Sequence, residues 1–149
     1  MKKIIMFAFA LCLGLSAFAS GKQWMTNLEE AMKLSEKSGK PILIEFSGSD
    51  WCPPCKSLNK NVFSKKEFLA FAKKNLILVL MDFPRYKAQA GKQKKYNNNI
   101  ARKYKVQYFP TVFLLDSKGK LIVTVKLRGD VKKYIAFLKT KIPAKTTKK

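Results

Sequence analysis

The sequence predicts an α/β domain in which a central mixed β-sheet carries helices on both faces. Strand-length apolar runs alternate with segments of helical pattern, which favours parallel pairing. The last two strands are joined by the short turn Ser117-Lys118-Gly119-Lys120, which adds an antiparallel hairpin. A further observation is the pair of cysteines in Trp51-Cys52-Pro53-Pro54-Cys55-Lys56, placed between a strand and a helix. That position puts a sulfur at a helix N-terminus, where unpaired amides and the helix dipole favour a thiolate.

The first twenty residues bear on the compartment. Lys2 and Lys3 form a basic start, the apolar stretch Ile4 to Leu15 is short for a bilayer span, and Ala17-Phe18-Ala19 offers a signal peptidase its small-x-small pattern before Ser20. A cleaved export signal over residues 1–19 is expected, with an uncleaved anchor as the alternative. Cys12 follows Leu11 inside the apolar stretch and would leave with it. The mature chain would hold 130 residues and two of the three cysteines, a size that suits one core. One domain over 20–142 and a basic tail over 143–149 are expected.

Asn27, with Glu30 three residues on, forms a capping box for a helix whose apolar side is Leu28, Ala31, Met32 and Leu34, and Gly39-Lys40-Pro41 stops it. Ile42, Leu43, Ile44 and Phe46 read as a buried strand interrupted by one carboxylate, Glu45. A helix is predicted from Pro54 to about Lys60, and another from a cap at Ser64 paired with Glu67. Leu76 to Met81 is a strand. The Lys-, Gln- and Asn-rich stretch from Asp82 to Asn99 is either a functional loop or a hidden helix, because so long a loop is uncommon in a compact domain. A short helix over Ile100–Tyr104 precedes Tyr108-Phe109-Pro110-Thr111, the strand Val112–Leu115, the turn, and the strand Leu121–Leu127. Asp130 caps a closing helix that presents Val131, Tyr134, Ile135 and Leu138, and Pro143 ends it.

Thirty-one Lys and Arg against nine Asp and Glu give a net charge of +22, or +20 without Lys2 and Lys3. Such a field can draw acidic proteins or anionic polymers. A solvated lysine-rich surface is the favoured reading, and nucleic acid is not expected, since the lysines are dispersed and form no base-reading motif.

Partner counting narrows the C-x-x-C. Zinc needs four ligands, covalent haem needs a histidine after the second cysteine, and iron–sulfur clusters need further thiolates. The chain has no histidine and Lys56 follows Cys55, so neither a metal nor a cofactor is expected. A structural bridge closing so small a loop would constrain the unfolded chain little. Redox exchange is the reading that remains, with a non-enzymatic basic envelope-binding module as the alternative.

Trp51-Cys52-x-x-Cys55-Lys56 and Phe109-Pro110-Thr111, followed by the hairpin and closing helix, resemble the thioredoxin fold across nearly all of the mature chain. The longer pattern through Leu58, Val62 and Phe63 is similar to exported thioredoxin-like reductases, among them DsbH-like periplasmic proteins and the C-terminal domain of DsbD. The resemblance implies a periplasmic thiol:disulfide oxidoreductase. Cys52 would be the accessible nucleophile, Cys55 the resolving thiol, and the two would form the redox-active disulfide. Glu45 is the candidate proton acceptor, since a carboxylate in an apolar strand has a raised pKa; a place at the wet edge of the strand is the alternative. Ser47-Gly48-Ser49-Asp50 is one residue longer than the family's usual approach to the first cysteine. Trp51 would cover the rim. Pro110 would be cis, with the Phe109 backbone pairing with substrate; an ordinary trans turn is the alternative.

Strong oxidants of this fold stabilise the thiolate with extra donors, and stabilising the reduced form raises the potential. Pro53 and Pro54 supply no N–H, so a reductase is favoured over an oxidase or isomerase, although Lys56 pulls the other way. Expected partners are protein disulfides or thiols of the cell envelope and a DsbD-like membrane electron donor, met by a monomer.

Overall fold

The computed structural model describes residues 23–142. The expected export signal, Cys12 and the tail over 143–149 lie outside the described residues. Among the described residues no helix is long and apolar enough to cross a membrane.

The order is β1 (Trp24–Met25), α1 (Leu28–Ser38), β2 (Ile42–Ser47), α2 (Pro53–Leu58) running on as a π-helical turn (Asn59–Phe63), α3 (Lys66–Asn75), β3 (Ile77–Asp82), α4 (Gly91–Lys103), β4 (Thr111–Leu115), β5 (Leu121–Thr124) and α5 (Val131–Lys141). The sheet runs β1-β3-β2-β4-β5. β1, β3 and β2 are parallel, while β4 is antiparallel to both β2 and β5. The predicted mixed sheet is therefore present, and β2 lies at its centre.

Alternation along β2 divides the core in two. Ile42, Ile44 and Phe46 face Leu28 and Ala31 of α1 and Ile100 of α4, whereas Leu43 faces Leu58, Phe63, Phe68, Tyr134 and Leu138. A period of two puts Glu45 and Ser47 on the Leu43 face, beneath the helices that follow the cysteines.

The caps read at α1 and α5 are in place. Asn27 accepts the Glu30 N–H at 2.9 Å, Gly39 ends α1 at φ 67°, and Asp130 accepts the Lys133 N–H at 2.8 Å. The cap expected at Ser64 is not formed: α3 starts at Lys66, after Lys65. Ser64 instead closes the preceding helix, its N–H reaching the Asn59 carbonyl at 2.8 Å and its hydroxyl donating to Asn59 Oδ1 at 2.7 Å. The reason is the π-helical turn, which widens the helix by one residue. With that extra residue, the consecutive Val62 and Phe63 are both buried.

The polar stretch before Ile100 hides a helix. α4 covers the second half of the stretch and absorbs the short helix expected at 100–104. Its buried residues are Asn97 and Ile100, and Asn97 donates to the Asp82 carbonyl at 2.8 Å. Tyr96 fastens α4 to the start of α1 by accepting the Leu28 N–H at 2.7 Å and donating to Glu29. Burial and Glu29 push the Tyr96 phenol up to about 12. β5 is shorter than expected, although the Val125 N–H still reaches the Val112 carbonyl at 2.8 Å.

Candidate active site

The register gathers the site at one end of the sheet. Ser47 is level with Asp82, and Phe46 with Thr111. The segments leaving β2 and β3 and the segment entering β4 therefore share that end. These are the redox loop from Gly48, the connection from Phe83, and Phe109-Pro110.

Cys52 and Cys55 form a disulfide with Cα atoms 5.3 Å apart. Cys52 is the N-cap of α2, and its Sγ accepts the Cys55 N–H at 3.3 Å. Pro53 and Pro54 occupy the positions between and have no N–H to offer. Cys52 was expected to be the open thiol, yet the two cysteines are 3% and 1% exposed, so the difference between them is small in this oxidised state.

Glu45 is 3% exposed and lies between β3 and β4 on the central strand. This excludes the wet-edge alternative. Burial pushes its pKa from 4.5 to about 7, the Ser47 hydroxyl opposing the shift and the Asp82 carboxylate adding to it. Glu45 Oε1 has no hydrogen-bond partner, and neither has the buried Tyr134 hydroxyl. Burial first, and then the Glu45 charge, hold the Tyr134 phenol far above its ordinary range.

The approach to Cys52 is bound into the fold at several points. The Trp51 and Cys52 N–H groups both turn back to the Gly48 carbonyl, at 3.3 and 2.9 Å. The Trp51 indole packs directly against Gly48, where an added Cβ would stand 2.4 Å from the ring. Ser49 donates its N–H and hydroxyl to the Asp82 carboxylate at 3.0 and 2.6 Å. Asp50 accepts the N–H groups of Arg85, Tyr86 and Lys87 at 3.0, 2.9 and 2.8 Å. Partial burial raises the Asp50 pKa, but these backbone donors outweigh it and hold the carboxyl below its ordinary value.

Trp51 forms a rim. Its Nε1–H donates to the Phe83 carbonyl at 2.7 Å, and the Arg85 guanidinium lies 3.7 Å from its ring centre. Phe109 meets Trp51 edge-on at 6.1 Å and stacks on Phe83 at 4.8 Å. The Phe109–Pro110 peptide bond is cis. On the other side of Pro110 a cavity of about 200 Å³ opens between Leu58, Tyr108, Thr124 and Leu127.

The structure thus brings Trp51, Phe109 and the cysteines to one end of the sheet. Sequence reasoning missed Gly48, Asp82, Phe83 and Arg85. A glycine just before the redox loop was the available signal for Gly48; the others act through a fold contact that no local pattern encodes.

The profile of a family described as Thioredoxin-like matches residues 23–117. Among characterised proteins, the chain is 35% identical over 102 residues to the disulfide bond reductase DsbH of Chlamydia pneumoniae, covering 68% of this chain and 61% of DsbH. It is 26% identical over 107 residues to the thioredoxin-related protein DsbJ of the same organism, covering 72% of this chain and 31% of DsbJ. The chain therefore spans less than two thirds of the length of either relative. A solved structure of a DsbH oxidoreductase superposes with a TM-score of 0.74 at 31% identity, over 80% of this chain and 83% of that one. The profile match covers more than half of the chain and includes the whole redox loop, and the chain belongs to the thioredoxin-like family.

Proposed function

We propose that this protein is a periplasmic thiol:disulfide oxidoreductase that reduces protein disulfides. The observation that carries the direction is the poverty of donors at Cys52: among the described residues the Cys55 N–H is the one hydrogen bond given to its sulfur, since Pro53 and Pro54 have none to offer. A thiolate with little stabilisation leaves the dithiol as the form that readily gives up electrons.

In the forward reaction the Cys52 thiolate attacks one sulfur of a substrate disulfide. An S–S bond forms between Cys52 and the substrate, and the other substrate sulfur leaves as a thiolate that takes a proton. Cys55 then loses its proton to Glu45, whose pKa near neutrality suits the transfer. The Cys55 thiolate attacks Cys52 Sγ, closing the intramolecular disulfide and releasing the second substrate thiolate. Two electrons have moved from the pair to the substrate, and a dithiol donor must restore them; a DsbD-like membrane reductase fits that role. Trp51 and Phe109 wall the entry, with the Phe109 backbone offered to an extended substrate segment. The relative named a disulfide bond reductase supports the direction, and the export signal read over residues 1–19 supports the compartment.

Two measurements test this reading. Cys55→Ser is expected to accumulate mixed disulfides through Cys52, which Cys52→Ser abolishes. Equilibration with glutathione is expected to give a potential nearer to about −270 mV than to about −120 mV. No trapped species, or a value near the oxidising end, overturns the proposal.

A further inference from the structure

Phe109 touches Trp51 and also lines a cleft that Trp51 does not reach. Behind the Phe83–Phe109 stack, away from Trp51, opens a cleft of about 740 Å³. Its floor is apolar, from Phe83, Val106 and Phe109, and its side is α4, which contributes Lys94, Lys95 and Arg102. Helical spacing makes that side: Gly91, Lys95 and Asn99 form one row at intervals of four, Lys94, Asn98 and Arg102 the next. All three cations are exposed, and among the described residues no carboxylate lines the cleft.

This charge pattern works against the fold that carries it. α1 opens on Glu29 and Glu30, the favourable arrangement at a helix N-terminus, whereas α4 has no acid in its first turn and carries Lys92 and Lys94 there. Cations at the positive end of a helix dipole are unfavourable. Asp82 and Asp50 do not line the cleft: the Asp82 carboxylate is turned to Ser49 and that of Asp50 to three backbone amides. An anionic occupant would relieve both the repulsion and the dipole mismatch, and the apolar floor asks for a side chain as well as charge.

We infer that this cleft binds an acidic segment of the protein partner, seating an aromatic or large aliphatic residue on Phe83 and Phe109 and its carboxylates against Lys94, Lys95 and Arg102. The inference deepens the redox reading and rests on it for the identity of the partner: a segment held there lies across Phe109 from Trp51, so docking and disulfide exchange share one wall.

The test uses peptides with an internal disulfide, flanked on both sides by Glu-Phe-Glu, Gln-Phe-Gln or Lys-Phe-Lys, with hydroxyethyl disulfide as an uncharged reference. At about 50 mM salt the Glu peptide is expected to show kcat/KM about tenfold above the Gln peptide. Most of that advantage is expected to vanish by about 200 mM. The triple variant Lys94→Glu, Lys95→Glu, Arg102→Glu should lose the preference, measured as the Glu-peptide rate relative to hydroxyethyl disulfide, while its circular dichroism is unchanged. Lys132→Glu, Lys133→Glu, Lys139→Glu on α5 makes the same change in net charge on exposed positions and should keep the preference. Equal losses in the two triple variants would assign the effect to overall charge and overturn the inference, as would competition by heparin without any preference for the Glu peptide. A serine version of the Glu peptide separates docking from chemistry: it should shift the backbone amide resonances of residues 91–102. Those shifts, without reduction of any disulfide, would sink the redox reading and leave the cleft standing; their absence would sink the cleft.

Discussion

Glu45 shares a face of β2 with Leu43 and Ser47, and burial lifts its carboxyl from 4.5 to about 7. Between those values the folded protein holds a proton that the unfolded chain has lost. Stability therefore falls as pH rises from about 4.5 to about 7, by about 3 kcal/mol, and is level above that range. Glu45→Gln is expected to remove this slope, matching the wild type near pH 5 and exceeding it near pH 8 in urea titrations of the oxidised protein. Parallel stability curves for the two proteins would refute the assignment. In single-turnover exchange the same variant should slow the step resolved by Cys55 by about 10²-fold. The acid was legible as a lone carboxylate in an apolar run. That its Oε1 is buried without a partner was not, because the side chains that surround it, Tyr134 among them, come from distant parts of the chain.

Asp50 ties two elements' connections into one. The segment between β3 and α4 is held to the redox loop through the Arg85, Tyr86 and Lys87 amides. Because the Asp50 pKa is lowered, this strap is fully present above the ordinary carboxylate range and is released as pH falls through the depressed value. Asp50→Ala should raise hydrogen exchange at those three amides by at least about tenfold, with β2 amides unaffected; unchanged exchange would show that the segment holds its shape unaided. Legibility varied at this scale for physical reasons. α1 and α5 announce themselves with side-chain caps, whereas α4 starts after Ala90 with no side-chain cap and packs through Asn97 and Ile100. Its burial is partly polar, so hydrophobic periodicity had little to detect. The π-helical turn escaped because Ser64 and Glu67 imitate a capping box while the backbone before them is still helical.

At the scale of the whole molecule, one aromatic cluster joins parts distant in sequence. Phe63 lies 5.0 Å from Trp24, 5.0 Å from Phe68 and 5.6 Å from Tyr134, so it links β1, α3 and α5. Phe63→Ala is expected to cost about 3–5 kcal/mol in denaturant unfolding; a loss below about 1 kcal/mol would mean that these helices are held elsewhere. The mixed sheet was readable from strands alternating with helices and a terminal hairpin. The two-residue β1 was not, since Trp24-Met25 gains strand geometry only by lying beside Leu78 and Val79. The redox loop itself was plain, but the Phe83 wall depends on β2–β3 register and emerges only with the assembled sheet.

The close seat of Trp51 on Gly48 also limits how the site can change over generations. No residue larger than glycine fits at 48 while the indole stays tied to the Phe83 carbonyl and lies beneath Arg85. A lineage that enlarges position 48 must first shrink or release position 51. The two positions form an ordered pair, in which one substitution is permitted only after the other.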